Sequence, residues 1–168
     1  MSSVTSLESR AASSTTLEAR LEAVEDRLEI QALAARFSDA VNERDVTAFA
    51  QLWASNHPVW EIGPPLPSRA AGKDAIVAML KGLYQIQRYF MQMTHSGVIA
   101  IDGDRANARF VERERGKGDG TYYDNLAVYD DVLVRESGGW RFLERHYQYR
   151  FLDQTPFAGD AFSPKPLK

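Results

Sequence analysis

The fold of this chain is decided by residues 108–142, ARFVERERGKGDGTYYDNLAVYDDVLVRESGGWRF. Apolar and polar residues alternate on both sides of GKGDG, and SGG separates the second alternating run from a third that begins at Trp140. Such alternation is typical of half-buried β-strands, and short glycine-rich connectors are typical of hairpins. The stretch therefore predicts consecutive antiparallel strands joined by tight turns.

The same pattern extends in both directions from this stretch. Four strand-like runs are predicted in all, at residues 90–101, 105–115, 121–135 and 140–152. The first two are joined by DGD, another hairpin-type connector. We expect the four runs to form an antiparallel meander.

Upstream of the strands, apolar residues recur at helical spacing in two successive sets: Leu17, Leu21, Val24 and Leu28, then Ile30, Leu33, Phe37 and Val41. The second set is displaced around the helix axis, which fits one helix with two packing partners or two segments with a bend. Glu and Arg flank the narrow first stripe, which could pack against a neighbouring subunit. Thr15 and Glu18 have the spacing of a capping box at the start of this helix.

A second helix is predicted at residues 45–53 with Asp45 as its cap, followed by a short strand at 59–62. Three prolines in PPLPSRAAG, residues 64–72, predict a loop. A third helix begins at Lys73. Helices gathered before a curled antiparallel sheet predict an α+β fold with one concave face. We expect a mobile polar tail at residues 1–16 and a single domain at 17–168.

Composition excludes several classes of function. The chain has 168 residues, a net charge of −3 and no cysteine, which argues against a general nucleic-acid binder and against thiol chemistry. The three histidines, His57, His95 and His146, show no metal-binding spacing, so we expect no metal. No apolar run is long enough for a membrane, and the N-terminus does not read as a signal peptide. A cytoplasmic location is the default expectation.

His95 is the residue most suggestive of chemistry. It lies in FMQMTHSGVIAI, residues 90–101, and in a continuous strand it would share one face with four apolar residues: Met91, Met93, Ile99 and Ile101. The alternation predicts that this face turns to the core, so that His95 points inward. Histidine has an ordinary pKa near neutrality, which suits proton transfer. The alternative is a core histidine with only a structural hydrogen bond.

Three stretches together resemble a known superfamily: residues 27–53, RLEIQALAARFSDAVNERDVTAFAQLW; residues 93–104, MTHSGVIAIDGD; and residues 108–142. Their order resembles the SnoaL-like, or nuclear transport factor two-like, superfamily, and within it the scytalone dehydratase and dehydrochlorinase branch. The resemblance spans roughly residues 21–162. It implies a cone-shaped α+β barrel whose curled antiparallel sheet is closed by N-terminal helices. It also implies elimination chemistry without a cofactor, in trimers or dimers.

The resemblance also implies a site. His95 matches the branch's catalytic base, Asn42 stands where an aspartate usually pairs with it, and Phe37 stands where dehydratases often carry a tyrosine. Arg145 approximately matches an arginine on the last strand. Asparagine can orient a histidine but supplies no charge to raise its pKa.

The missing charge directs attention to Glu112, which continues the apolar phase of Ala106, Ala108 and Phe110. Glu112 is either a pocket carboxylate that assists His95 or a rim glutamate balanced by a nearby arginine. We expect ERER, residues 112–115, to be largely a solvated face. Aromatic residues predicted to form the wall of the pocket or the core are Phe37, Trp53, Trp60 and Tyr129.

These observations favour a cofactor-free lyase in which His95 removes a proton from a small hydrophobic, aromatic molecule, followed by dehydration, dehydrohalogenation or carbon–carbon cleavage. Asn42 and Glu112 would assist, and Arg145 would contact the substrate. The alternatives are an isomerase, cyclase or epoxide hydrolase on the same fold, or a subunit that binds a ligand without catalysis. We expect a homo-oligomer, a trimer rather than a dimer.

Overall fold

The computed structural model describes residues 16–118, 120–160 and 162. Residues 1–15 of the predicted polar tail lie outside the described residues. The helices are α1 Leu17–Asn42, α2 Val46–Gln51 and α3 Lys73–Ile86. The strands are β1 Val59–Ile62, β2 Ser68–Ala71, β3 Gln87–Thr94, β4 Val98–Asp102, β5 Arg105–Gly118, β6 Tyr122–Glu136 and β7 Gly139–Asp153. No helix in the described part of the chain combines the length and apolar character that a membrane crossing requires.

One curled sheet contains all seven strands in the order β2-β1-β7-β6-β5-β3, with β4 pairing with β5 beside β3. The predicted meander is present, because β5, β6 and β7 pair antiparallel over almost their full lengths. The predicted α+β class is confirmed. The sequence predicted β1 but not its partner. β1 runs parallel to β7 and so joins the meander to the helical part of the chain.

The core lies where α1 crosses the concave face of the sheet. Phe37 is at its centre and contacts five rings with centroid distances of 5.2 to 6.2 Å: Phe49, Trp53, Trp60, Tyr129 and Phe142. The angles between the ring planes are those of tilted or edge-on pairs, which aromatic rings prefer over face-to-face stacking. Large aromatic residues therefore fill the space between α1 and the concave face of the sheet.

Two boundaries differ from the sequence expectations. Residues 68–71 of the predicted loop form β2, which pairs with β1, because the three prolines all precede this segment. The cap of α1 is Thr16, one residue beyond Thr15, and its hydroxyl accepts a hydrogen bond from the Ala19 N–H at 3.2 Å. The predicted cap of α2 is confirmed, since the Asp45 carboxylate accepts from the Ala48 N–H at 2.9 Å.

The prediction of one continuous strand at residues 90–101 is wrong. The run breaks at residues 95–97 into β3 and β4, and the break shifts the alternation by one residue. Met91, Met93 and His95 face outward, whereas Ile99 is buried. Gly97 permits the break, because a Cβ there would lie against the Phe110 ring and 2.6 Å from the Arg109 carbonyl oxygen.

We expect Gly97→Ala to reduce the free energy of unfolding by about 1–3 kcal/mol, because the added methyl overpacks this junction. Gly82→Ala is the matched control, since nothing lies within 4 Å of its added Cβ inside α3. That change should stabilise the protein by up to about 1 kcal/mol through helix propensity. Urea unfolding of both variants checks the pair, and equal effects would contradict the close approach at Gly97.

Candidate active site

A cavity of about 430 Å³ opens between α1, α3, the loop after β1 and the inner face of the sheet. Its mouth is apolar and includes Pro65, Leu66, Pro67, Leu83 and Ile86. Deeper in, the strands contribute polar groups that face the same space. An apolar cavity with a few convergent polar side chains is the usual form of a small-molecule site.

Glu114 lies on the inner face of β5 and is almost completely buried. Its carboxylate oxygen Oε2 accepts hydrogen bonds from the Tyr123 and Tyr147 hydroxyls, both at 2.7 Å. Burial raises the pKa of the Glu114 carboxyl, and the hydrogen bonds from the two phenols only partly oppose this effect. Glu114 is therefore a carboxyl group that keeps its proton to a higher pH than an exposed glutamate does.

The phenols around Glu114 form a connected network. The Tyr123 hydroxyl lies 3.4 Å from that of Tyr149, and the Asn125 side-chain amide donates to the Tyr123 oxygen at 2.9 Å and to the Tyr147 oxygen. Tyr123, Tyr147 and Tyr149 all line the cavity. Because the protons of Tyr123 and Tyr147 are donated to Glu114, Tyr149 is the phenol of this network that can donate to a ligand oxygen without reorganising first.

Gln92 lies directly opposite Glu114 in the pairing of β3 with β5, so both side chains project from the same face. Gln92 lines the cavity and is 3% exposed, and no described group is a hydrogen-bond partner of its Nε2. Asn42 fixes the backbone there. Its Nδ2 donates to the Gln92 carbonyl at 2.8 Å and its Oδ1 accepts from the Gln92 N–H at 2.7 Å.

Glu112 is fully buried and lies two residues before Glu114, on the same face of β5. The Thr94 hydroxyl lies 2.8 Å from its Oε2, and the Ser38 hydroxyl lies 2.5 Å from that of Thr94. Burial raises the pKa of Glu112 to about 8, although the Arg145 charge and the Thr94 hydrogen bond oppose the rise. Glu112 is not among the residues that line the cavity.

Arg145 supplies the positive charge beneath the cavity. It is fully buried and donates two hydrogen bonds to Asp131, Nε to Oδ1 at 2.9 Å and Nη2 to Oδ2 at 3.1 Å. Its guanidinium lies 3.7 to 4.1 Å from the ring centroids of Tyr129, Phe37 and Phe142. Asp131 and the three aromatic faces compensate in part for the water that Arg145 has lost, while no described group accepts a hydrogen bond from its Nη1.

The prediction that the His95 side chain points inward is wrong. Its side chain is exposed and does not line the cavity, because β3 turns Gln92 and Thr94 inward instead. The catalytic assignment of His95 loses this support and now depends only on the resemblance to the dehydratase branch, so it stays a prediction. Asn42 does not orient an imidazole either, since both ends of its amide are occupied by the backbone of Gln92.

The structure separates the remaining predicted residues into two groups. Phe37, Trp60 and Tyr129 line the cavity, and the Trp60 Nε1 donates to the Tyr129 hydroxyl at 3.1 Å. Trp53 and Arg145 are fully buried and do not line it. Their roles toward a substrate stay predictions.

The central residue that sequence reasoning missed is Glu114. The alternation that placed Glu112 inward continues to Glu114, whereas only Arg113 and Arg115 face solvent. The expectation that ERER is a solvated face is therefore wrong for both glutamates. Two acidic residues at every second position, in phase with Ala108 and Phe110, were the available signal.

Among the described residues, no group of three or more His, Cys, Asp or Glu side chains could hold a metal ion.

The chain belongs to the SnoaL-like domain family, whose model matches residues 22–146. This finding confirms the superfamily resemblance. No curated protein matches the chain.

Several solved structures share the fold. A hexachlorocyclohexane dehydrochlorinase (LinA, type 2) is 19% identical with a TM-score of 0.75, covering 88% of this chain and 99% of that one. A scytalone dehydratase candidate from Novosphingobium aromaticivorans is 19% identical with a TM-score of 0.69, covering 88% and 97%. An NTF2-like protein with a cystatin-like fold from the same organism is 23% identical with a TM-score of 0.67, covering 89% and 92%. At these identities the likeness shows the fold.

We expect Asn42→Asp to destabilise the protein by about 1–3 kcal/mol, because a carboxylate oxygen would replace the amide donor that faces the Gln92 carbonyl. Asn56→Asp, at an exposed position, is the control. Urea unfolding at pH 7 measures both. Equal stability of Asn42→Asp and the wild type would contradict the structural role of this amide.

The raised pKa of Glu112 predicts a pH-dependent stability. The folded protein holds the Glu112 proton more tightly than the unfolded chain does. The contribution of this proton to the free energy of unfolding is therefore complete below about pH 4.5 and is lost as the pH rises toward about 8. Glu112→Gln, which mimics the protonated acid, should match the wild type near pH 4.5 and exceed its stability at pH 8. Thermal unfolding across this range tests the prediction, with exposed Glu22→Gln as control. Parallel curves for wild type and Glu112→Gln would refute it.

Proposed function

We propose that this protein is a cofactor-independent enzyme in which Glu114 transfers a proton to or from a small, largely apolar molecule that carries an oxygen substituent. The reaction class is elimination. The observation that carries the proposal is the position of Glu114, a buried carboxyl with a raised pKa on the wall of the cavity beside two fixed phenols.

The chemistry follows from this position. A general acid or base works best when its pKa lies near the working pH, and burial shifts a carboxyl in that direction. In its ionised form, Glu114 accepts a proton from carbon. The electron pair of the broken C–H bond forms a double bond as the neighbouring leaving group departs with its own bonding pair.

Negative charge that develops on a substrate oxygen needs donors nearby. The hydroxyl of Tyr149 and the amide of Gln92 belong to the same cavity wall as Glu114. Direct cross-strand partners have Cβ atoms about 4.5–5.5 Å apart, so Gln92 can bind an oxygen on a carbon next to the one that Glu114 deprotonates. Preorganised donors of this kind are commonly the largest contribution to stabilising such charge.

The cavity also constrains the substrate. Its volume is at the small end of the range of about 300–1,000 Å³ for ligand pockets, and its apolar mouth excludes strongly charged molecules. A small ring compound with one or two polar substituents fits both conditions. Elimination from such a compound is supported by the shared fold with a hexachlorocyclohexane dehydrochlorinase.

One observation favours ligand binding without turnover as the second candidate. The hydrogen bonds of Tyr123 and Tyr147 already satisfy one oxygen of Glu114 within the chain, as they would in a purely structural network. Under that hypothesis, substrates would bind and leave unchanged.

The experiment incubates the protein in D₂O with a panel of small cyclic β-hydroxy ketones and β-chloro ketones and follows each compound by NMR. Product formation, or exchange of the acidic C–H for deuterium, reports proton transfer. We expect Glu114→Gln to lower the rate at least about 100-fold, the lower range of contributions from general acid–base groups. The wild-type kcat/KM should rise with pH through the raised pKa of the Glu114 carboxyl.

His95→Ala is the matched control and should retain full activity, because the imidazole is exposed outside the cavity. Loss of activity in His95→Ala with full activity in Glu114→Gln would reverse the assignment. Saturable binding of a panel compound with no exchange or product at any pH would favour the binding protein.

A further inference from the structure

The first half of α1 presents an apolar stripe to solvent. Its four members are between 53% and 78% exposed: Leu17, Leu21, Val24 and Leu28. No described part of the chain covers them. The second half of the same helix packs on the core in the ordinary way, with Ile30 and Leu33 fully buried.

The orientation of this half of α1 is fixed by polar contacts on its opposite side. The buried carboxylate of Asp26 accepts hydrogen bonds from Trp140 Nε1 at 3.0 Å and from Arg135 Nη2 at 2.5 Å. Glu29 accepts from the Trp140 N–H at 2.9 Å. An amphipathic helix normally turns its apolar side to its own domain, so this inverted arrangement leaves an apolar side for another molecule.

The spacing of the stripe is that of the seam of a two-stranded coiled coil, the line along which the two helices touch. Its members are separated by four, three and four residues, the intervals of the a and d positions of a heptad. Asp26 then occupies an f position, directly away from the seam. Two copies can therefore meet along the stripe while their domains lie on the outer sides.

Charged residues flank this seam in a specific pattern. Arg20 precedes Leu21 at a g position, and Glu25 follows Val24 at an e position. In a parallel pair, g faces the e position five residues further along the partner, which places Arg20 beside Glu25 of the partner helix in two symmetric pairs. In an antiparallel pair, g positions face g positions of the partner helix. Arg20 would then lie beside Arg27 of the partner helix, which is a like-charge contact.

We propose that residues 17–28 of α1 are a dimerisation site and that its occupant is the same segment of a second copy, in parallel orientation. The two domains are then related by a two-fold axis along the seam, the commonest symmetry of homo-oligomers, so this proposal replaces the expected trimer with a dimer. Because the seam is less than two heptads long, the association is concentration-dependent. This site is separate from the cavity and does not depend on the proposed reaction.

Sedimentation velocity of the full chain over a wide concentration range tests the site. The wild type should shift from one chain toward two as concentration rises. Leu21→Lys should weaken association roughly tenfold or more, because the buried leucine is lost and two lysines meet. Ala23→Lys adds the same charge at an exposed position off the seam, so it should leave the strength of association unchanged.

Charge exchange tests the orientation. Arg20→Glu and Glu25→Arg should each weaken association, since each creates like-charge pairs, whereas an equimolar mixture of the two variants should associate as well as the wild type. Circular dichroism verifies that each variant folds. The proposal is overturned if the wild type stays monomeric at every concentration. It is also overturned if Leu21→Lys behaves as Ala23→Lys does, or if Arg20→Glu strengthens association.

Discussion

The alternation of side chains along β5 is the constraint on which the core and the candidate site both depend. β5 pairs with β6 on one side and with β4 and β3 on the other, so its register fixes that of the strands around it. Its inward positions change character along the strand. Ala106, Ala108 and Phe110 belong to the core, whereas Glu112 and Glu114 follow in the same phase. One strand therefore carries both the packed end of the cone and its acidic end.

The acidic end has more negative than positive groups. Three buried carboxyls, those of Glu112, Glu114 and Asp131, accompany one buried guanidinium, that of Arg145. Full ionisation would leave two uncompensated negative charges, 3 − 1 = 2, in an environment that solvates charge poorly. Arg145 directs both of its hydrogen bonds to Asp131, and burial raises the pKa of both glutamates. Both glutamates therefore keep a proton to a higher pH than exposed glutamates do, which reduces the number of unpaired charges in the interior.

The sequence predicted the fold well and the site poorly, for a physical reason. Long periodic segments and glycine-rich connectors determine helices, hairpins and their order, and these predictions were confirmed for α3, β5, β6 and β7. The orientation of a single side chain depends on the phase of its own strand, and one irregular residue reverses that phase. Apolar residues lie on both sides of the break at residues 95–97, and together they gave the pattern of one continuous strand face. This pattern concealed that the side chains before and after the break point to opposite faces. Gly97 was the only local sign, and its role depends on the Phe110 ring, thirteen residues away.

The pairing of β3 with β5 shifts by one residue between Gln87 and Tyr89, at the entrance to the strand. This irregularity decides which of two chemically different rows of side chains on β3 and its end faces the interior, where Gln92 lines the cavity. One row offers the amide of Gln92 and the hydroxyl of Thr94, and the other offers two thioethers and the imidazole of His95. The gain or loss of a single residue at that point would exchange the two rows while preserving the hydrogen-bond ladder. A change of length, without any substitution, is therefore an evolutionary route by which this scaffold can replace the functional groups of its pocket.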